Sequence, residues 1–322
     1  MYEADAEFFD RELASFLPPK VFDAHCHLWH DPSAVIPGPD MPDIAGYDQY
    51  RDLIGVIHPD REVAALFIPF PHKDADTVAA SRWVSQEIRG KPKCRGLYLV
   101  KPTDDPEQVR EAVKSLGLCG LKVYHVYSGI ANTMEAEIPE YLPERLVKVA
   151  HEERWVITLH MVKHRAVADE SNRHWIRHYC TRYPDMRLIL AHSARGFQPA
   201  HNLEGLPHLA DLPNLYCDTS ANCESIAHES VLRTLGPKRL MYGSDFHVSH
   251  FRGRNVAAGD GFVWIYGGDP IWESGHEPLS PPLVGMEHLR ALKWACWSAG
   301  MGDSDVEDIF WNNAAELFGV ES

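Results

Sequence analysis

Short apolar runs alternate with longer amphipathic segments along most of the chain. The ends of successive runs are 24 to 43 residues apart, close to the length of one strand–helix–strand unit. Between them, segments such as DPEQVREAVKSLG carry helix signals, with Asp105 as N-cap, Pro106 at the first helical position and Gly117 as the stop. Eight such units predict an α/β fold, a closed (β/α)8 TIM barrel with a parallel sheet beneath helices. The apolar runs are KVFDAHCHL, VAALFIPF, GLYLV, GLKVYHVY, WVITLH, RLILAHS, NLYCDTS and RLMYGSDF.

An open, doubly wound sheet of roughly six or seven strands is the alternative fold. We disfavour it because no glycine-rich phosphate loop follows the first strand. Residues 1–20 are predicted to form a helical extension that packs on the barrel or on a partner subunit. Residues 21–322 are predicted to form a single barrel domain, in which residues 246–282 are a lid after the eighth strand and two helices close the chain. Trp264 and Tyr266 in this segment are expected to close over the pocket.

Composition limits the classes of protein to which the chain can belong. With 31 Lys and Arg against 46 Asp and Glu, the net charge is −15, which argues against nucleic-acid binding. The longest apolar run, residues 63–70, is too short to span a bilayer. The acidic N-terminus lacks the basic segment of a signal peptide, and the seven cysteines lack paired spacing, so we expect a cytoplasmic protein with reduced thiols. We also expect a homo-oligomer, with a dimer as the working hypothesis.

Two histidines lie one residue apart in the first run, DAHCHLW. Because strand side chains alternate between faces, Asp23, His25 and His27 are expected to share one side, with Ala24 and Cys26 on the other. The small apolar residues suit the helix-facing side, so the polar ones are predicted to point into the barrel near its C-terminal mouth, where barrel active sites lie. Taken alone, a His-x-His pair is only a weak sign of metal binding.

Single ligand-type residues also end three later strands. His160 ends the fifth strand, His192 the sixth and Asp245 the eighth, each where the mouth is expected. On the sixth strand, Leu188 and Leu190 are expected on the same face as His192. With the two histidines of the first strand, these residues give four imidazoles and one carboxylate, a donor set for zinc, manganese or iron(II). We therefore predict a divalent metal site, with zinc first among the three ions.

These motifs, in order, resemble those of the amidohydrolase superfamily, and more narrowly its amidohydrolase-related branch, family 2. The similar segments are DAHCHL, TLH, LAHSARG, YCDTS, MYGSDF and IFWNNAAELFGV, which together span roughly residues 21–320. The resemblance implies a distorted (β/α)8 barrel that binds one or two divalent metals. It further implies that His25, His27, His160 and Asp245 are ligands, and that His192 lies beside a water on the metal or binds a second ion.

Lys122 in GLKVYHVY bears on whether the site holds one metal ion or two. By the resemblance to the superfamily, it lies on the strand where dinuclear amidohydrolases carry a carboxylated lysine that bridges two metals, in a similar sequence context. A GxK pattern on this strand also occurs in family 2 without that role, so the alternative is a lysine that pairs with a carboxylate or contacts substrate. We include Lys122 among the candidate ligands, favour one ion and leave two open.

Asp245 and His192 are the candidate catalytic residues. A divalent metal lowers the pKa of bound water towards neutrality. Asp245 is predicted to accept the proton of that water and to pass it to the leaving group. His192 is predicted to orient the water or to polarise the scissile carbonyl. Asp23 is either an acceptor for a ligand imidazole or a structural hydrogen-bond partner at the strand entrance.

Cationic residues after several strand ends point to a small anionic substrate, such as a carboxylate bound by an arginine fork. Ordinary solvated loop charge is the alternative for about half of them. The tyrosine and histidine that follow the fourth strand are expected to line the same pocket. The candidate substrate-binding residues are Arg195, Arg252, Arg254, Lys163, Tyr124 and His125.

Three functions fit these features. The first is metal-dependent hydrolysis of a small carboxylated substrate such as a lactone or an amide. The second is non-oxidative decarboxylation of an aromatic or enol acid, which the branch that this sequence resembles also performs. Ala24 stands where those decarboxylases often carry an acidic residue, which favours the hydrolase. The third is a non-catalytic barrel that keeps a metal for stability or regulation, which the complete ligand set disfavours.

Overall fold

The computed structural model describes residues 3–31, 41–277 and 279–321. Across these ranges, no helix is both long and apolar enough to cross a bilayer. The strands are β1 (Lys20–Leu28), β2 (Glu62–Pro69), β3 (Arg95–Gly96), β4 (Tyr98–Leu99), β5 (Gly120–Val123), β6 (Val156–Leu159), β7 (Arg187–Leu190), β8 (Leu215–Asp218), β9 (Leu240–Met241), β10 (Gly253–Ala258) and β11 (Gly261–Tyr266).

Helices alternate with the strands and cover the outside of the barrel. The α-helical segments are α1 (Glu3–Phe8), α2 (Tyr47–Ile57), α3 (Thr77–Glu87), α4 (Pro106–Ser115), α5 (Ile138–Tyr141), α6 (Glu144–Glu152), α7 (Glu170–Arg182), α8 (Ala191–Arg195), α9 (Pro199–Gly205), α10 (Ser225–Leu235), α11 (Val284–Ala299), α12 (Asp303–Glu307) and α13 (Asn313–Phe318). Short π-helical turns cover Phe9–Leu13 and Asp308–Asn312. Short 3-10 turns cover His125–Tyr127, Thr133–Glu135, Ala166–Ala168, Leu206–Leu209, Pro237–Arg239, Val248–His250 and Pro270–Glu273.

Strands β1 to β9 form a parallel barrel, which confirms the predicted fold. The pairing order is β1-β2-β3 and β4-β5-β6-β7-β8-β9. β3 and β4 are two halves of the predicted third strand, joined through Leu97, whose amide donates to the Phe67 carbonyl at 3.0 Å. Between β9 and β1, the amides of Ala24, Asp245 and His27 donate to carbonyls across the seam at 2.7 to 2.9 Å. Hydrogen bonds thus continue around the cylinder.

A bulge in β1 decides which of its side chains face the barrel axis. Ala24 and His25 together oppose Leu66 of β2, where a regular strand would place one residue. Ala24 packs in the interior apolar cluster, whereas Asp23 and Cys26 face the surrounding helices. The expectation that Asp23 shares the face of the histidines, with Ala24 opposite, is therefore wrong, because the bulge shifts the alternation by one residue.

The amino-terminal end of the barrel is filled by apolar side chains and closed by the C-terminal helices. Phe22 of β1 stacks on Phe318 of α13 with ring centroids 5.5 Å apart, and Trp311 contacts Phe22 edge-on. The carboxyl ends of the strands lie at the opposite end of the barrel, its mouth. The barrel residues of the interior cluster are Phe22, Ala24, Ala64, Leu66, Ile68, Val156, Ile189 and Met241 of the strands and Leu97 between β3 and β4.

The inward-facing residue of β7 is Ile189. Leu188 and Leu190 belong instead to the cluster between strands and helices. The expectation that these two leucines share a face with His192 is wrong, because the chain leaves β7 through a left-handed turn that redirects the histidine into the mouth.

The two extra segments pack against the barrel. In the N-terminal extension, Phe9 and Leu13 are buried in the main core, and Lys293 of α11 donates to the Glu12 carbonyl at 2.5 Å. The segment predicted as a lid, residues 246–282, contains the antiparallel β10–β11 hairpin followed by the 3-10 turn at Pro270–Glu273.

Buried and partly buried histidines outside the predicted ligand set make the fold sensitive to acid. Burial lowers the pKa of His58 to about 3, and of His228 and His250 to about 4. Each is neutral when folded but binds a proton below about pH 6.5 when unfolded, so the stability present above that pH is lost as the pH falls. We expect the free energy of unfolding to drop by on the order of 1–2 kcal/mol per histidine between pH 7 and pH 5.

Urea unfolding at pH 7, 6 and 5 measures this loss. A His250→Gln variant should show a shallower pH dependence than the wild type, whereas His174→Gln, at an exposed position, should leave the dependence unchanged. Equal slopes for His250→Gln and the wild type would contradict a neutral imidazole at residue 250 of the folded protein.

Candidate metal centre

His25, His27 and Asp245 come together at the carboxyl-terminal mouth of the barrel. One donor atom from each lies within 4.8 Å of the other two. Asp245 Oδ1 is 3.4 Å from His27 Nε2 and 3.8 Å from His25 Nε2, longer than a good hydrogen bond. Two imidazoles and a carboxylate are donors that zinc and related divalent ions bind. The residues present therefore fit a divalent cation.

Asp245 reaches the centre through two features of the backbone. Its φ of 54° turns the chain inward after β9, and its amide donates to the His25 carbonyl at 2.7 Å. Gly243 lies so close to β1 that a Cβ there would be 2.8 Å from the Cβ of His25. Burial alone would raise the pKa of Asp245, but the neighbouring imidazoles of His27 and His192 hold that pKa well below its ordinary value.

The imidazoles of His25 and His27 are neutral. Burial, reinforced by the charge of Lys122, lowers the pKa of His25 to about 4. Burial also lowers the pKa of His27, whose Nδ1 has no hydrogen-bond partner among the described residues. His25 Nδ1 donates to Asp218 Oδ2 at 2.9 Å, which leaves a lone pair on the Nε2 that faces the centre. A neutral imidazole oriented in this way is ready to bind a metal.

Asp218, at the end of β8, is absent from the predicted site, yet its carboxylate joins three strands. It accepts hydrogen bonds from His25 and from the amides of His192 and Ser220, the latter two at 3.1 Å. Burial alone would raise the pKa of Asp218, but these histidines hold it below its ordinary value. The available signal was its place at the end of the apolar run NLYCDTS, one residue before the predicted end of that strand.

Lys122 points into the barrel from β5 and is completely buried. Its Nζ is 3.2 Å from His25 Nε2, and no carboxylate in the described part of the chain forms an ion pair with it. Burial lowers the pKa of Lys122 to about 8, although Asp218 and Asp245 oppose the shift. The lysine lies beside the centre, and its role as a ligand stays a prediction.

His160 and His192 form the second half of the predicted ligand set. His192 Nδ1 donates to the Ser220 carbonyl at 2.9 Å, which directs its Nε2 towards His160 Nδ1 at 3.1 Å. His192 Nδ1 is also 3.9 Å from Asp245 Oδ2, so the pair adjoins the first three donors. Burial lowers the pKa of His160 well below its ordinary value. Their binding of metal stays a prediction.

Four consecutive left-handed residues lead from β7 to the mouth. The φ angle is 59° at His192, 50° at Ser193, 58° at Ala194 and 55° at Arg195. Residues other than glycine rarely adopt this conformation, which costs roughly 1 kcal/mol or more at each position. This left-handed turn brings both His192 and Arg195 to the mouth.

Side chains of neighbouring elements hold the left-handed turn. Asn222 Nδ2 donates to the His192 carbonyl at 3.1 Å, and Asn202 Nδ2 donates to the Ser193 carbonyl at 2.7 Å. His228 Nε2 donates to the Asn222 carbonyl, so its Nδ1 accepts a hydrogen bond from the Ser193 hydroxyl at 2.7 Å. These buried hydrogen bonds offset the cost of the unusual backbone.

Arg195 is a buried cation that forms no ion pair within residues 3–31, 41–277 and 279–321. Only 8% of the residue is exposed, and its Nη1 donates to the Lys163 carbonyl at 2.8 Å. Its guanidinium carbon lies 5.8 Å from the ring centroid of Phe262. Burial lowers the pKa of Arg195, and Tyr141 and Tyr124 oppose the shift. A buried guanidinium of this kind is suited to bind a carboxylate.

Tyr124 and His125 lie beside His160, as predicted pocket residues would. The ring centroids of Tyr124 and His160 are 4.7 Å apart, and those of His125 and His160 are 5.7 Å apart. His125 Nδ1 is held by Thr133, with its hydroxyl at 2.9 Å. Burial raises the pKa of Tyr124 to about 12, so the hydroxyl keeps its proton as a donor.

The other three predicted anion-binding residues are engaged by carboxylates of this chain. Lys163 Nζ contacts Glu137 and lies 3.6 Å from Asp169. Arg252 binds Asp5 of the N-terminal extension with two hydrogen bonds, of 3.0 and 2.6 Å. Arg254 is 3.4 Å from Glu287 of α11 and donates to the Cys223 carbonyl at 3.1 Å. The contact of these three residues with substrate stays a prediction, and their pairing with carboxylates of the chain gives it no support.

Asp23 lies behind the centre in a structural position. Its carboxylate accepts hydrogen bonds from the Tyr50 hydroxyl at 2.8 Å and from the Ser244 amide at 2.7 Å. It also accepts from the backbone amide of His25, and the imidazole of His25 is held by Asp218 instead. Of the two roles considered for Asp23, the structural one matches these contacts.

Comparison with solved structures finds barrels of the same architecture at low sequence identity. An amidohydrolase from Burkholderia multivorans with bound zinc is 15% identical, with a TM-score of 0.63 over 94% of this chain and 99% of that one. The 2,6-dihydroxybenzoate decarboxylase from Rhizobium is 12% identical, with a TM-score of 0.60 over 95% and 100%. A probable 2-pyrone-4,6-dicarboxylic acid hydrolase from Acinetobacter baumannii, with citric acid bound, is 14% identical, with a TM-score of 0.57 over 93% and 99%.

No curated protein sequence is significantly similar to the chain. The sequence model of one protein family, described as Amidohydrolase, nevertheless matches residues 22–320. This match covers nearly the whole barrel, and it confirms the resemblance and the enzyme class that the ordered motifs indicate. The chain belongs to the amidohydrolase family.

Proposed function

We propose that this protein is a metal-dependent hydrolase that cleaves a small carboxylated substrate, such as a lactone or an amide. The observation that carries the proposal is the convergence of His25, His27 and Asp245, with donor atoms within 4.8 Å of one another, at the carboxyl-terminal mouth of the barrel. We assign the ion as zinc, with manganese and iron(II) as alternatives, and favour one ion.

The proposed ligands are His25, His27 and Asp245, with His160 and His192 adjoining them. When bound, the divalent cation would supply Lewis acidity, which activates water and polarises a carbonyl. Asp245 is held ionised, so it accepts a proton from the attacking water and later donates it to the leaving group. His192 Nε2 faces the mouth with its tautomer fixed by Ser220, so it orients the water or the scissile carbonyl.

Arg195 supplies the proposed recognition of an anionic substrate. Its guanidinium is buried, lacks a carboxylate partner in the described ranges, and belongs to the same left-handed turn as His192. A charge-assisted, bidentate hydrogen bond to a substrate carboxylate would supply the partner that the protein does not provide. The ring of Tyr124 lies beside His160, and its protonated hydroxyl offers a neutral donor to the substrate.

Decarboxylation is the second candidate function. The similarity in fold to 2,6-dihydroxybenzoate decarboxylase favours considering it. Ala24, directly before His25, packs completely buried in the interior cluster, so no acidic side chain enters the centre from that position. This observation favours hydrolysis over decarboxylation.

We further propose a cytoplasmic location and a homodimer. The seven cysteines are all free, and six of them are buried, which suits a reducing compartment. Light scattering on the full-length chain measures the mass of the assembly, and a mass of one chain would contradict the dimer.

Metal analysis combined with a substrate panel tests the proposed function. We expect protein purified without added metal to contain about one divalent ion per chain, and a ratio near two would instead promote Lys122 to a bridging ligand. The metal-loaded protein should hydrolyse members of a panel of carboxylated lactones and amides, and removal of the ion by a chelator should abolish turnover. Release of carbon dioxide from a panel of aromatic acids, without hydrolysis, would replace the hydrolase by the decarboxylase.

A further inference from the structure

The β10–β11 hairpin carries aromatic side chains towards the mouth of the barrel. Its register pairs Ala257 with Phe262 and Asn255 with Trp264, so these residues share one face. Asn255 Oδ1 accepts a hydrogen bond from the Cys223 amide after β8, which fixes this face against the barrel. Val263 points the other way and is 51% exposed.

Phe262 extends an aromatic wall that begins at the candidate metal centre. The ring of Phe197 lies 5.4 Å from the ring of His192, and Phe262 stacks on Phe197 with centroids 4.8 Å apart and planes 29° apart. The guanidinium carbon of Arg195 is 5.8 Å from the Phe262 centroid. The catalytic candidate, the anion-binding candidate and the hairpin therefore meet at one pair of phenylalanine rings.

The turn of the hairpin is fastened to the barrel, which fixes Phe262 in place. Gln198 Nε2 donates to the carbonyls of Gly259 and Gly261 at 2.8 and 3.2 Å. Asp260, at the tip, contacts His201 Nε2 at 3.1 Å and His164 Nε2 at 3.2 Å. With the three residues before it anchored, its strand paired at Ala257 and its ring stacked on Phe197, Phe262 forms a fixed wall rather than a freely moving flap.

From this geometry we infer that Phe262 is a specificity-determining residue, which selects substrates whose carboxylate is attached to a flat, unsaturated ring. The inference rests on the proposed function, because it takes Arg195 as the residue that binds the carboxylate. A flat ring can lie in offset-stacked contact with the phenylalanine pair while its carboxylate reaches the guanidinium. A puckered ring of the same size presents axial hydrogens to that wall and loses the stacking contact.

Binding of two matched acids tests the inference without requiring turnover. Benzoate and cyclohexanecarboxylate carry the same charge and similar bulk but differ in planarity. By calorimetric titration of the zinc-loaded, full-length protein, we expect benzoate to bind about tenfold more tightly, the ratio that about 1.4 kcal/mol of stacking would give. Phe262→Ala should reduce the preference to about threefold or less, and Val263→Ala should retain it.

Further outcomes separate this inference from the proposed function. Equal affinities for the two acids in the wild type, or an unchanged preference in a folded Phe262→Ala variant, would overturn the role of Phe262. A folded state is verified by an unchanged circular dichroism spectrum and by retained zinc. Arg195→Gln should weaken both acids alike. If it weakens neither, Arg195 is not the anion site and the proposed recognition fails, whatever the result for Phe262.

Discussion

Replacing Asp245 by Asn should lower turnover by about 10²- to 10⁴-fold, the usual contribution of a general acid–base. The asparagine amide nearly matches the carboxylate in shape but cannot accept and return a proton. Asn is also among the residues that best tolerate a left-handed backbone, so the φ of 54° at this position remains accessible. The amide hydrogen bond to His25 at 2.7 Å comes from the main chain and is likewise preserved.

The measurement is kcat on the best substrate of the panel, with zinc saturating and the bound zinc determined for each sample. Asp211→Asn, at an exposed position paired with Arg177, is the matched control and should keep wild-type turnover. Near wild-type kcat in Asp245→Asn would remove the proton-transfer role. A loss of zinc that accounts for the whole loss of activity would leave Asp245 as a ligand only.

His27→Ala should release the metal while the barrel remains folded. His27 Nε2 faces Asp245, its Nδ1 makes no hydrogen bond among the described residues, and its ring contacts Phe70 at 5.5 Å between centroids. Its removal therefore takes away a donor and some packing but breaks no hydrogen-bond network. We expect zinc affinity to fall by at least about 10²-fold, because the ion loses one of the few side chains that bind it directly.

Elemental analysis and competition with a chromogenic chelator measure the zinc that remains. His250→Ala is the control, since His250 is a partly buried imidazole that donates to the Leu53 carbonyl away from the centre. That variant should lose stability and keep its zinc. Full zinc content in His27→Ala, or equal loss in both variants, would exclude His27 as a ligand.

The barrel could be predicted from the sequence because its strands correspond to separate apolar runs at regular spacing. Ligand-type residues at the ends of those runs converge for the same reason, since parallel strands in a barrel end at one mouth. The face of the strand on which each side chain lies was harder to predict. A bulge at Ala24 and His25, and a left-handed turn after β7, each break the alternation that sequence reasoning assumes.

Partners that lie far apart in sequence were also beyond prediction. Arg252 and Arg254 follow a strand end, as an anion-binding arginine would, but only the folded chain brings Asp5 and Glu287 to them. Arg195 resembled them in sequence and differs because no carboxylate of the described residues approaches it. Asp218 is not among the predicted site residues, because an aspartate near the end of an apolar run is as compatible with a solvated turn as with a buried acceptor for His25.

The left-handed turn has a consequence for the dimensions of the substrate. Because His192 and Arg195 sit on one rigid stretch of main chain, clamped by Asn222, Asn202 and His228, the gap between them does not depend on any mobile loop. In the proposed reaction, His192 acts at the scissile carbonyl and Arg195 binds the carboxylate, so the turn fixes the distance between these two groups of the substrate. A molecule with a different spacing of the two groups would be rejected at the binding step, whatever its chemical reactivity.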